Sequence, residues 1–238
     1  MINEAKEKTL IIIPCFNEQN SIETLLLEIL DFKKVFSILV IDDGSSDETY
    51  NRAIKYVPVI KLTRNLGIGG AVQTGIKYAK LKNFDFCIQV DGDGQHIPFE
   101  ILKLLDCYKC TESSIVIGSR YINKISFKST LARRVGSRFI STTLSIFFGN
   151  IKLTDPTSGF RLYDKKSIDF FSKNYPHDFP EPISIAWALK EGLAIKECSV
   201  LMRSRVSGIS SISGLKTIIY MVRVLSYIIL ARFFRHKM

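Results

Sequence analysis

The chain has 238 residues, of which 46% are hydrophobic and 24% charged, and it carries a formal net charge of +10 at pH 7. That length suits one sizeable domain with at most a short appendage. Ordinary apolar and charged shares exclude a fibrous, low-complexity or wholly disordered chain.

In chain order, five short runs are too continuously apolar to keep one face in water, and they predict parallel strands buried on both sides. Leu10–Ile13 ends at Pro14, Ser37–Ile41 at Asp42, Val59–Leu62 at Thr63, Phe84–Val90 at Asp91 and Ile115–Ile117 at Gly118. Helical patterns lie between them: Ser21 to Leu30, where Asn20 and Glu23 have capping-box spacing; Asp47 to Tyr56 behind Ser46; Gly69 to Leu81; and Pro98 to Tyr108. Strand, crossover helix and strand in repetition predict an α/β fold, an open, doubly wound, mostly parallel sheet with flanking helices. In such sheets ligands bind beyond the carboxyl ends of the strands.

Two later segments fit a bilayer surface. Around Ser129 to Phe148, Arg134, Arg138, Ser141 and Ser145 share a helical stripe beside Leu131, Val135, Phe139 and Phe147. Thr217 to Phe234 is strongly apolar but interrupted by Arg223 and Arg232, and its unbroken part falls short of the roughly 20 residues of a spanning helix. Both read as amphipathic helices at an anionic membrane surface, with arginines reaching toward phosphates. The alternatives are a helix packed on the sheet or a contact within a homo-oligomer. The chain thus divides into a catalytic domain over 1–211, whose halves meet near residue 120, and a basic apolar helix over 212–238.

The positive charge is concentrated in two acid-free stretches, Ser113–Thr154 and Cys198–Met238, which suit phosphates or anionic lipid. A nucleic-acid partner is not expected, because no recognised module appears and the basic runs are interleaved with aliphatic residues. Cys15, Cys87, Cys107, Cys110 and Cys198 are odd in number and scattered, as free thiols in a reducing cytoplasm would be. Met1 to Lys8 is polar and no signal peptide is evident, so the expected location is the cytoplasm, peripheral on the inner face of the membrane.

The strongest chemical signal is Val90-Asp91-Gly92-Asp93-Gly94-Gln95-His96, two carboxylates flanking one glycine directly after a buried strand. Such close like charges repel unless a cation compensates, and oxygen ligands one residue apart suit Mg²⁺ or Mn²⁺ shared with a diphosphate. A metal there would stabilise charge gathering on a departing nucleoside diphosphate. Alone, such a D-x-D is also a common Asp-Gly turn.

Taken with Pro14-Cys15-Phe16-Asn17-Glu18, Asp42-Asp43-Gly44-Ser45-Ser46-Asp47-Glu48-Thr49, Gly118-Ser119-Arg120 and Ser158-Gly159-Phe160-Arg161, the chain resembles family 2 glycosyltransferases of the GT-A fold, most closely their polyprenyl-phosphate branch, over roughly Thr9 to Ser211. The resemblance implies an inverting transfer from a nucleotide-sugar donor to a polyprenyl phosphate or a lipid-linked saccharide. It implies that Asp43 meets the donor base and that Pro14, Phe16 and Glu18 shape the nucleoside pocket. Asn65 and Gly67 would approach the donor, and Asp91 and Asp93 would hold metal and diphosphate with Gln95 as a further ligand. Arg203 and Arg205 would close over the diphosphate, and Ser158 and Arg161 would meet the acceptor. Glu181, in Phe179-Pro180-Glu181-Pro182-Ile183, stands where relatives carry an acidic pair and is the candidate base; Ile183 replaces the second acid. The competing readings are a sugar nucleotidyltransferase, which would need a lysine-bearing glycine loop where Pro14-Cys15-Phe16 stands, and a non-catalytic nucleotide-sugar binder or scaffold.

Overall fold

The structure, a computed structural model, describes residues 7–32, 34–123, 131–149, 151–203 and 215–233, with the backbone alone at 131–133 and 215–218. In chain order its elements are β1 (Thr9–Cys15), α1 (Ile22–Ile29), β2 (Ser37–Asp42), α2 (Thr49–Ala53), β3 (Val59–Lys61), α3 (Gly67–Leu81) and β4 (Phe86–Gln89). They continue as α4 (Ile101–Thr111), β5 (Ile115–Ser119), α5 (Leu131–Phe148), β6 (Arg161–Tyr163), α6 (Lys165–Lys173), α7 (Pro180–Lys190), β7 (Ile195–Ser199) and α8 (Leu215–Phe233).

These strands form one sheet in the order β3-β2-β1-β4-β6-β5-β7. The apolar runs are strands because each has two faces to bury. Leu10 and Ile12 point into a cluster with α3, α5, α6, α7 and α8, while Ile11 and Ile13 point into a second cluster with α1, α2 and α4. Neighbours are parallel except β6, which runs antiparallel to both β4 and β5. β6 therefore bridges the two halves of the sheet through backbone hydrogen bonds.

Several local expectations shift. The first helix begins one residue later than expected, with Ser21 in the cap position. The expected box does not form there, because Glu23 instead accepts from the Tyr56 hydroxyl. The second helix shrinks to Thr49–Ala53, since Asp47 turns its carboxylate onto the Thr49 and Gln19 amides and ends the loop before it. At the C-terminus, Val224, Ile228 and Ala231 of α8 are buried in the larger cluster, so one face of this helix is core. Among the described residues no helix is long and apolar enough to cross a membrane.

Candidate active site

A cavity of about 540 Å³ opens at the carboxyl ends of β1, β2 and β4, within the range of small-molecule sites. Its walls bring together Pro14, Phe16 and Glu18 after β1, Asp43 after β2, Asn65, Gly67 and Ile68 at the start of α3, and Asp91 and Asp93 after β4. Each residue arrives there because a buried strand ends and the chain must turn.

Asp43 is 2% exposed and accepts a hydrogen bond from the Leu66 amide at 2.7 Å. Burial raises its pKa, opposed by the Leu66 and Gly67 amides. Asn65 accepts from the Gly67 amide and so shapes the turn into α3. Cys15 also lines the cavity, and burial and the carboxylates of Glu18, Asp42, Asp91 and Asp93 hold its thiol well above its usual pKa. Four acids thus converge on one small volume. One oxygen of Asp42 is buried without a hydrogen-bond partner.

Asp91 is held from three sides. Gln89 donates to its Oδ1 at 2.9 Å, its own amide donates to His96 Nδ1 at 3.0 Å, and His96 Nε2 lies 3.7 Å from its Oδ2. Because Nδ1 accepts, a neutral imidazole carries its proton on Nε2, facing the carboxylate. His96 is buried and stacks on Phe160 at 4.8 Å. Gly159 completes the enclosure, since a Cβ there would come within 2.7 Å of Asp91 Oδ2. Asp93, 6% exposed, accepts from the Gln95 amide. Among the described residues no group of three or more His, Cys, Asp or Glu could hold a metal. Two carboxylates in a strongly negative pocket nonetheless fit a hard divalent cation that keeps water and takes substrate phosphate oxygens.

Other predicted residues are placed elsewhere. Gln95 donates its side-chain amide to the Arg203 carbonyl at 3.4 Å, and the Arg203 amide donates to the Gln95 carbonyl, so the two segments are joined. Arg203 pairs with Glu28 of α1 at 2.8 Å and is not part of the cavity wall. Arg205 lies outside the described residues. Ser158 is 1% exposed, donating to the Gly118 carbonyl and accepting from the Phe160 amide, so it is a turn-former rather than a presented hydroxyl.

Arg161 is a correction of a different kind. Lying on β6 between two other strands, it is 1% exposed, and its guanidinium donates to Ser158 O, Pro156 O, Glu181 O and Ser184 Oγ. It cannot meet an acceptor directly; it ties the loop before β6 to the first turn of α7.

That turn carries Glu181. Burial raises the Glu181 carboxyl pKa above its usual value, the Arg161 charge opposes this, and Asp91 and Arg120 also act on it. It stands outside the cavity lining but within electrostatic reach of Asp91. The preceding Phe179 has φ 49° and ψ 51° and opens α7 from the left-handed region. A side chain of this size carries about 1–2 kcal/mol of strain there. The Tyr220 ring meets Phe179 edge-on at 4.9 Å, and Tyr227 lies 6.3 Å away. Such aromatic pairs contribute about 0.5–1.5 kcal/mol each beyond burial, enough to hold the strained residue.

Reading the sequence left Arg120 without a role, although it ends the Gly118-Ser119-Arg120 motif. It forks onto Asp155 at 2.6 and 2.7 Å, and Glu197 of β7 in turn accepts from the Asp155 and Thr154 amides. Its charge bears on both Glu181 and Asp91.

A sequence model described as "Glycosyl transferase family 2" matches residues 10–171. A polyprenol monophosphomannose synthase from Mycolicibacterium smegmatis is 28% identical over 222 residues, covering 87% of this chain and 82% of that protein. A UDP-N-acetylglucosamine–dolichyl-phosphate N-acetylglucosaminyltransferase from Methanococcus voltae is 30% identical over 182 residues, 68% of this chain and 72% of its own. Among solved structures, glucosyl-3-phosphoglycerate synthase from Mycobacterium tuberculosis, in complex with Mn²⁺, UDP-glucose and phosphoglyceric acid, superposes with a TM-score of 0.75 at 17% identity, over 98% of this chain and 82% of that one.

Proposed function

The chain belongs to glycosyl transferase family 2, and from that premise we propose that it moves a sugar from a UDP- or GDP-sugar to a polyprenyl phosphate or polyprenyl-linked saccharide, with inversion at the anomeric carbon. The observation that carries this reading is the cavity in which Asp43 and the Asp91–Asp93 pair face one another across the strand ends. Relatives named for polyprenyl- and dolichyl-phosphate acceptors support the acceptor class.

In this reading the base sits against Asp43 and Phe16, and the diphosphate runs toward Asp91 and Asp93, which would hold Mg²⁺ or Mn²⁺. When bound, the cation neutralises the charge that collects on the departing nucleoside diphosphate. Gln89 and His96 hold Asp91 and Gly159 leaves room for its carboxylate, which reduces the reorganisation needed at the moment of transfer. A lipid phosphate is already an anion and attacks unaided; a sugar hydroxyl gives its proton to Glu181.

The outer faces of α5 and α8 fit attachment to the inner face of an anionic membrane. Phe139 and Ile146 on α5, and Val222 and Phe233 on α8, are 58–71% exposed, with Arg138, Arg223 and Arg232 exposed near them. The test is a panel of UDP- and GDP-sugars scored for Mn²⁺-dependent thermal stabilisation, followed by transfer of the selected sugar to polyprenyl phosphate in anionic vesicles. Stabilisation by a nucleotide sugar and vesicle-bound turnover are expected; no stabilisation by any of them rejects the donor site.

Glu181 gives a pH prediction. Its folded-state pKa lies above the usual carboxylate value, so the ionised base is lost as pH falls through that raised pKa. With a hydroxyl acceptor, kcat should show an acid limb above the ordinary glutamate range that Glu181→Gln removes along with about 10²-fold or more of the rate. An unchanged profile in Glu181→Gln would falsify the base assignment.

A further inference from the structure

We infer that α8 is a positioning element for Glu181: Tyr220 and Tyr227 clamp the Phe179 ring and so fix the first turn of α7, which makes the C-terminal helix part of the acceptor half of the site. The inference rests on the reading of Glu181 as the acceptor-side base.

Three observations carry it. First, among the described residues the non-glycine positions with positive φ are Asn17, Asn83, Glu112 and Phe179. Asparagine tolerates this region, and Glu112 ends a helix; Phe179 starts one, with a bulky ring and no local hydrogen bond from its side chain. A residue held there must be held by its surroundings; its ring packs on the larger core cluster, and its aromatic neighbours are two tyrosines of α8.

Second, α8 is locked alongside α7. Phe179 at the start of α7 meets Tyr220 near the start of α8, and Lys190 at the end of α7 donates to the Ala231 carbonyl near the end of α8 at 2.7 Å. The same number of residues separates the two contacts in each helix, so the helices run side by side in one direction. Third, Tyr220 senses the carboxylate. Burial and then the Glu181 charge raise the pKa of its hydroxyl. The charged groups acting on Glu181 are Arg161 of β6, Asp91 after β4 and Arg120 after β5, and Glu181 itself acts on Tyr220 of α8, on Tyr163 of β6 and on Tyr175 after α6. Arg161 fastens the backbone of Glu181 from the sheet side through its carbonyl, while α8 fastens the preceding residues from the other side.

The experiment uses the full chain with the donor selected from UDP-glucose, UDP-N-acetylglucosamine and GDP-mannose, and an unlabelled saccharide acceptor in vesicles. Tyr220→Ala is expected to lower kcat about ten- to hundredfold, leave the donor KM unchanged and move the acid limb to lower pH as Glu181 becomes more hydrated. Tyr220→Phe, which keeps the edge-on ring, is expected to restore kcat to within about twofold of the parent. Wild-type kcat in Tyr220→Ala, a parallel loss in donor KM, or failure of Tyr220→Phe to rescue would each overturn the clamp. If Tyr220→Ala does not fold, Tyr220→Leu, which keeps apolar volume without the ring edge, is read by the same criteria. Glu181→Gln measured alongside separates two failures. Full activity there removes the base reading and the clamp's purpose with it, whereas a crippled Glu181→Gln beside a fully active Tyr220→Ala removes the clamp alone.

Discussion

Replacing Asp93 with alanine is expected to lower transfer by about 10²–10³-fold or more and to abolish stabilisation by Mn²⁺ with nucleotide, while the protein stays folded. Asp93 lines the cavity beside Asp91 and is 6% exposed, so its charge is poorly screened and has a large effect on a cation placed there. Two effects on the unliganded fold oppose each other. The substitution loses the contact from the Gln95 amide, but it relieves repulsion among the acids that surround Cys15. Asp93→Asn separates them, since it keeps an acceptor for Gln95 and removes the charge. In the parent, ligand at about 100 times its Kd adds about 2.7 kcal/mol of stability, or roughly 5–10 °C in Tm for a domain of this size. Calorimetry with Mn²⁺ and UDP should show that shift in the parent and neither variant; a full shift in Asp93→Asn would remove Asp93 from the metal site.

Arg161→Met should unfold the acceptor half first. The guanidinium satisfies three carbonyls and a hydroxyl in a buried place, and an apolar side chain of similar length removes the donor from the Ser158 and Pro156 carbonyls, while the Glu181 carbonyl keeps the Ser184 hydroxyl. Each orphaned buried acceptor costs about 1–3 kcal/mol, partly offset by no longer burying a cation, so a net loss of about 2 kcal/mol or more is expected from the two carbonyls. That corresponds to a fall in Tm of about 4–8 °C or more. Arg161→Lys keeps the charge but not the planar fork and should fall between the two. Thermal unfolding checks both, and a Tm within about 2 °C of the parent for Arg161→Met would show that the cage is dispensable.

What could be read from the sequence was local. Pro14, Asp43, Asp91 and Asp93 each end or follow a continuous apolar run, and in a parallel sheet that position already places them at the ligand-binding edge. Arg161 was misjudged because its burial depends on β6, a three-residue strand with no readable alternation that pairs with two strands distant in sequence. Gln95 and Arg203 were assigned to a ligand because nothing near them in the chain announces that they bond to each other, or that Arg203 reaches Glu28, 175 residues away. The apolar stretch at the C-terminus reads from the sequence as an amphipathic membrane-surface helix, with packing on the sheet as an alternative. Its buried stripe of Val224, Ile228 and Ala231 becomes visible only once α5 and α7 are in place beside it.

The reversed strand β6 has a consequence for how the molecule can be taken apart. Hydrogen-bonded to β4 on one side and β5 on the other, it splices donor-side and acceptor-side segments into a single continuous plank. Rocking of one half against the other would have to shear that ladder. Chimeras that graft a foreign acceptor region onto this nucleotide-binding region should therefore carry their crossover after β6, at the exposed His177 and Asp178 between α6 and α7, so that β4, β6 and the Gln89–Asp91–Gly159 junction are inherited from a single parent.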